Sequence, residues 1–565
     1  MRPPRRSSLV AVLVTAAAML ALAAVPAPAA TVSREGTLVV VPRENAGGDA
    51  DYWLRSGRTE RKLRFTRAPR VEPGTRVRIA GEQPEAGAAI AVRSVQRLAA
   101  ASQRVITGER RALVMRVTWS QPDGLTDADA QREIGVNAAN WMSEVSGGLV
   151  QLSATVTPWL TIPETPCGSY NLVRARAVAA ATAAGYAPGT YDHEVIYFPH
   201  ASECAWAGLG FLPGRVTWFN GQFTTRELVH EIGHNFGLHH ANALMCRDGA
   251  GGLAVFNGAE GACTTFEYAD PFDAMGASAN VGHYNAANKE DLGWLAGRSQ
   301  VMVPGDTATL TSYVGGAGLR AAIVPTPDGS RFAVEFRRAE GLDLFLTGFP
   351  QASTGVILHD ASAGPGRQTN LLDGLPDGFF GTPALTAGGS VVLPGDIVLR
   401  VDAVTATEAQ ISVVPVDREP PTVAAVAPDA DAVEVSPSSV VTATFSEAVD
   451  EAATQAGFTL TRAADGAPVA GTVTWSGTTL SFDPDADLEP STAYVATVAA
   501  GQDLAGNPVV VRSWTFTTGA AVGESGAGDP GTGTGAPGTG APGTGDPGSG
   551  DPGTGTGDPG AGDPG

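Results

Sequence analysis

Cysteine is scarce in this chain, positive charge is short, and only the extreme N-terminus carries a long apolar run. Each shortage excludes something. With 37 Lys and Arg against 58 Asp and Glu, the formal charge is −21. Nucleic acid and anionic membranes would repel such a chain, so neither is expected as a partner. The four cysteines include no Cys-x-x-Cys pair, which argues against a zinc-thiolate site. Residues 31 to 107 hold no cysteine at all, so a thiolate from that stretch cannot silence a metal. Residues 519 to 565, repeats of Gly, Pro, Thr and Asp, lack Lys, Arg and aromatics. They cannot bury enough apolar surface to offset ordering entropy and read as a disordered tail.

What is present begins with "MRPPRR", an apolar run from Leu9 to Val25, and small residues with Ala27 and Ala29 placed for cleavage. This reads as a signal peptide over 1–29, with a soluble, secreted product and no membrane span after cleavage. In an exported protein, four cysteines favour two disulfides. Of three connectivities, Cys167–Cys204 with Cys246–Cys263 is preferred, because each pair would brace one side of a histidine cluster described below.

A chain of 565 residues is too long for one core. Short apolar runs such as "TLVVVP" and "TRVRIAG" make 30–107 a β-rich N-terminal unit, either a propeptide or an independent barrel. From 108 to 297, strands such as "RALVMRVTW", "LVQLSATVTPWL" and "EVIYFP" alternate with helical stretches, implying an α/β layer. One predicted helix, "DADAQREIGVNAANWMSEVS", would pack Ile134, Val136, Ala139, Trp141 and Met142 on one face. Residues 298–416 are mostly strands and form a β-rich companion domain; "DREPPTV" then leads into a further β unit, 417–518.

The chemistry concentrates in "HEIGHNFGLHH", residues 230 to 240, with four of the eight histidines. On a helix, His230 and His234 project from one face and can reach one zinc ion. Glu231 lies about 100° around the helix, placed to flank an open coordination position as general base. Gly237 can take positive φ, end the helix and turn the chain so that His240 faces the metal. His239 then points elsewhere. The five fixed positions of His-Glu-x-x-His-x-x-Gly-x-x-His make this a far more specific signal than the first three alone.

This pattern resembles the metzincin metalloproteases, whose further hallmark is a methionine turn. Met275, followed by Gly276, suits an apolar floor under the three histidines. "HEIGHNFGLHHA", the "YADP" run from Tyr268 to Pro271 and "HYNAANKEDLGWL" are most similar to the gametolysin-type peptidases. The resemblance implies a metzincin-type α/β catalytic domain binding Zn²⁺, and a protein substrate such as a wall or matrix glycoprotein. The tyrosine that some metzincins carry two residues past the methionine is Ala277 here. Asp270 and Asp273 have the ligand type for calcium, although capping the turn is the commoner role. His283 and Tyr284 could reach the cleft or pack the closing helix, with packing favoured, and His193, His200 and His359 are read as structural. The 417–518 unit resembles bacterial Ig-like domains, which act as spacers or cell-surface adhesion elements. The rival reading is a surface adhesin with a structural or inactive zinc site; a further one is a metal-dependent amidase.

Overall fold

In a computed structural model, the described residues are 30–42, 50–101, 105–258, 263–276, 280–314, 318–361 and 368–520. The signal-like segment 1–29, Ala277 and the tail from 521 onward lie outside them. The chain divides into two compact units, split between Asp417 and Arg418.

Strands β1 (Ala30–Pro42), β2 (Ala50–Ser56), β3 (Thr59–Arg64), β4 (Arg76–Gln83) and β5 (Ile90–Ala99) close into a barrel in the order β1-β2-β3-β5-β4. Leu38, Leu54, Leu63, Val77, Ile79 and Ile90 fill it.

The α/β layer follows. Strand β6 (Gly108–Thr118) is apolar on both faces, as a central parallel strand must be. It leads to α1 (Asp127–Arg132) and α2 (Ala138–Val145), then β7 (Val150–Val156), β8 (Leu160–Thr161), α3 (Tyr170–Ala183) and β9 (His193–Phe198). Next come β10 (Gly208–Gly210), β11 (Val216–Asn220) and α4 (Thr225–Phe236). The sheet order is β10-β11-β9-β6-β7, with β8 beside β6. All pairs are parallel except β10, which lies antiparallel to β11 at the edge.

The helix predicted over Asp127–Ser146 is interrupted by one π turn, Glu133–Asn137, where Ala138 N–H bonds back to Glu133 O. Ile134, Ala138, Trp141, Met142 and Val145 are buried, but Val136 is 49% exposed. It sits about 200° from Ile134 on a helical wheel, and the wide turn does not bring it round.

The chain leaves the histidine motif directly into β12 (Ala241–Arg247), a buried strand that periodicity did not reveal. Its partners are β13 (Leu253–Ala254), β14 (Cys263–Phe266) and, in parallel, β20 (Thr369–Leu372). Helix α5 (Ala286–Asp291) follows, and the sheet continues through β15 (Ser299–Val301), β17 (Ala321–Pro325), β18 (Arg331–Glu335) and β19 (Gly355–Asp360). Strands on both sides of 297/298 thus share one sheet, so that point separates no two layers. A short β21 (Leu385–Thr386) pairs with β19, and a four-stranded sheet of β16 (Thr307–Thr311), β22 (Ser390–Leu393), β23 (Ile397–Val404) and β24 (Glu408–Pro415) shares its core through Leu310, Leu399 and Ile411.

The second unit has two four-stranded sheets around Val441, Phe445, Leu460, Phe482, Trp514 and Phe516. Both disulfides form as Cys167–Cys204 and Cys246–Cys263. The second joins residues directly opposite each other on β12 and β14.

Candidate metal centre

Helix α4 runs unbroken to Phe236 and stops at Gly237, whose φ is 109°. Gly237 N–H reaches the carbonyls of Gly233 and His234, and Leu238 N–H returns to Gly233 O. This left-handed stop satisfies the last helix carbonyls and turns the chain back over the helix. The turn brings His240 to His230 and His234: one ligand nitrogen from each lies within 4.8 Å of the others. His239 is not in that group.

All three rings are buried, and each is oriented through Nδ1. His230 Nδ1 donates to Ala274 O at 3.0 Å, His234 Nδ1 to Leu238 O at 2.8 Å, and His240 Nδ1 to Glu267 Oε1 at 3.0 Å. An imidazole with its proton fixed on Nδ1 presents a lone pair at Nε2, which is how metal-ligating histidines are held. The Nε2 atoms of His230 and His240 are buried without a hydrogen-bond partner. Burial pushes the His234 pKa down to about 4, and those of His230 and His240 well below 6.5. The cluster is therefore neutral at pH 7 and fits a divalent cation that takes three nitrogens and keeps a position open.

Glu231 is buried beside this cluster. Edge strand β10 lies against it: a Cβ on Gly208 would sit 2.5 Å from Glu231 Oε1, and one on Gly210 would sit 2.8 Å from Glu231 O. The two glycines leave room for that carboxylate. Residue identity at the strand edge thus sets where the acid sits.

Met275 is fully buried under the helix, where a Cβ on Gly233 would meet its Sδ at 2.5 Å. The turn that carries it is held from several sides. Ala241 N–H donates to Met275 O at 3.0 Å, and Asp273 Oδ1 accepts from Met275 N–H at 2.6 Å. Asp273 Oδ2 accepts from Asn285 N–H at 2.7 Å and Asn288 Nδ2 at 2.9 Å. Asp270 pairs with His359 Nε2 at 2.9 Å. Both aspartates are buried turn caps, and their oxygens already have protein partners.

Four supports have no role at the histidines assigned from the sequence, although Tyr268 and Asp270 fall in the "YADP" run and His359 is read as structural. Glu267 lies 27 residues past His240. Tyr268 lays its ring over His240, centroids 3.9 Å apart, on a backbone with φ of 61°. Left-handed backbone on a bulky residue is strained and concentrates at functional sites. The third support is the Asp270–His359 pair, in which the carboxylate holds His359 above its ordinary pKa. The fourth is Arg337, which reaches Phe272 O at 2.9 Å and pairs with Asp343. His359 lies on β19 and Arg337 two residues past the end of β18, so the companion region grips the methionine turn.

His359→Ala would strand Asp270 as a buried, unpaired carboxylate. We expect a loss of about 3–5 kcal/mol in unfolding free energy, read by denaturant titration, while His200→Ala at an exposed position stays within about 0.5 kcal/mol. Elsewhere, His193 is buried against Asn235 at 3.1 Å, and burial lowers its pKa to about 4. His283 is buried against Lys289 Nζ at 2.8 Å, and Tyr284 OH donates to Val229 O at 2.7 Å.

Two family profiles match parts of this chain. The profile of the gametolysin peptidase M11 family matches residues 131–249, which include α4 and all three clustered histidines. A bacterial Ig-like domain profile matches residues 417–518. The chain therefore combines a segment similar to a peptidase family with a bacterial Ig-like module. No curated protein matches the chain. The N-terminal part of the bacterial S-layer protein SbsC is similar at 21% identity and a TM-score of 0.15, over 18% of this chain and 24% of that one. CopC from Methylosinus trichosporium OB3b is similar at 16% identity and a TM-score of 0.16, over 18% of this chain and 95% of that one. The match spans about a quarter of the SbsC chain, and likenesses at this level say nothing of the site.

Proposed function

We propose that this protein is a secreted zinc-dependent endopeptidase with a metzincin-type catalytic domain. The observation that carries the reading is the nitrogen cluster of His230, His234 and His240, each ring fixed through Nδ1, with buried Glu231 alongside. When bound there, zinc supplies Lewis acidity, polarising a peptide carbonyl and lowering the pKa of water to about 7.

The chain's own groups do the rest. Glu231 accepts a proton from the attacking water and passes it to the leaving amine nitrogen as the C–N bond breaks. Glu231 is only 2% exposed, so that transfer takes place shielded from bulk water. Backbone N–H and C=O groups of Gly208 and Gly210 face the edge of β10 opposite β11, because residues 207, 209 and 211 point theirs inward in this register. An extended peptide can pair along that edge. The N-terminal signal-like segment and two disulfides support an extracellular setting. No helix among the described residues is long and apolar enough to cross a membrane. Wall or matrix glycoproteins are the substrate class proposed from the motif resemblance, and the Ig-like module is read as a cell-surface spacer.

Chelation followed by dialysis should abolish cleavage of an unfolded protein substrate, and about one equivalent of zinc should restore it. Full activity in the chelated protein would sink the proposal. A second check concerns Glu231 placement. Gly208→Ala would push its Cβ into the carboxylate, so kcat should fall roughly 10²-fold, the cost of an ångström-scale misplacement. Zinc content should stay unchanged.

A further inference from the structure

We propose that the N-terminal barrel is a permanent wall of the peptide cleft, not a segment shed on activation, and that it stops a bound peptide at the Leu212 end of β10. The wall rests on the peptidase reading above; the permanence of the docking does not.

The argument begins in β1. "TLVVVP" is a continuous apolar run, whereas a barrel strand facing solvent on its outside should alternate. The structure gives the reason. Leu38 points into the barrel core, while Val39 and Val41 join Trp53 in a second core with Leu113, Met115, Tyr170, Phe211 and Trp218 of the α/β layer. Over Leu38–Val41, both faces of β1 are therefore buried. A removable segment would leave this apolar surface uncovered.

Polar groups close the same contact. Trp53 Nε1 donates to Tyr170 OH at 3.2 Å, and that hydroxyl donates to Asp51 at 3.0 Å. Arg55 Nη2 donates to Pro213 O at 2.9 Å. Glu60 of the barrel takes Arg55 at 3.2 Å and Arg174 of α3 at 2.8 Å; Arg174 continues to Glu194 at 2.7 Å, and Arg215 pairs with Glu194 as well. The Glu60 side chain is only 5% exposed. Withdrawing it would remove one carboxylate from a cation held in a largely buried chain, a change that proteins tolerate poorly.

The wall follows from where the barrel touches β10. Val40 N–H donates to Leu212 O at 2.9 Å, and Leu212 N–H donates to Val40 O at 2.8 Å. This pairing uses the same edge that Gly208 and Gly210 present beside Glu231. A peptide paired to that edge has the stretch from Gly208 to Gly210. Two residues further on, about 7 Å along the strand, it meets β1. The cleft is thus closed at one end by the chain's own barrel.

The test places a specific protease site between Ala101 and Val105 of the full chain and cuts it in the folded protein. The proposal expects the two pieces to coelute in gel filtration, with peptide hydrolysis unchanged. Separation of the pieces overturns it, and so does a rise in hydrolysis after cutting, which is how an inhibitory propeptide behaves. Coelution is read whether or not the protein cuts peptides, so loss of the peptidase reading and loss of this one are told apart. For the wall, peptides lengthened on either side of the scissile bond are compared. On one side kcat/KM should stop rising after two or three residues, while on the other it keeps rising. An equal and continuing rise on both sides overturns the wall.

Discussion

Replacing Glu231 by alanine is expected to leave zinc at one equivalent per chain and to lower kcat by about 10²–10⁴-fold, the usual share of a positioned acid–base group. The separation of the two effects is the point. Glu231 sits beside the nitrogen cluster without belonging to it, and its carboxylate is packed under the glycines of β10. Alanine removes the proton carrier and leaves all three imidazoles with their Nδ1 partners. Thermal stability should be kept or slightly raised, since a buried carboxylate costs desolvation. The measurements are metal analysis of the purified variant and single-turnover hydrolysis. A variant that loses both zinc and activity would make Glu231 a ligand, and the assignment of its role would fail.

His240→Ala should lose the metal and hydrolysis together, whereas His239→Ala should keep both. The two residues are neighbours in sequence, and the turn at Gly237 separates their fates. Only His240 brings a nitrogen within 4.8 Å of those of His230 and His234. Removing one of three ligands should weaken zinc binding by more than the roughly 10–100-fold expected from losing an outer partner. Glu267→Ala, which takes only the acceptor from His240 Nδ1, supplies that internal reference. Competition with a fluorescent chelator ranks the three variants. Release of metal by His239→Ala would overturn the assignment.

The legible part of this protein is what local geometry dictates. Helical spacing puts His230 and His234 on one face, and a glycine three residues past the second histidine is the simplest place for a left-handed stop. The even cysteine count and the position of each pair on either side of the motif led to the observed disulfides. The long-range part left no local trace. The acceptors for His230 and His234 are backbone carbonyls of Ala274 and Leu238, which no side-chain pattern encodes. Glu267 and Tyr268 reach His240 through β12 and β14, and β12 was hidden because one short apolar run does not name its partner. The grip of His359 and Arg337 on the methionine turn depends on β12 pairing with β20, more than a hundred residues later. Local sequence also placed Val136 with Ile134, where one π turn and a 200° offset put it in solvent. The valines of β1 were legible as a strand, yet their second core became visible only once Tyr170 and Trp218 stood against them.

Cleavage profiling of a complex protein mixture by the wild-type chain and by Glu231→Ala, each loaded with zinc, tests the central claim most directly. The account predicts new internal peptide termini with the wild type, abolished by chelation, and none above background with the variant. Equal cleavage by both proteins, or no cleavage by a wild type carrying one zinc, would contradict it.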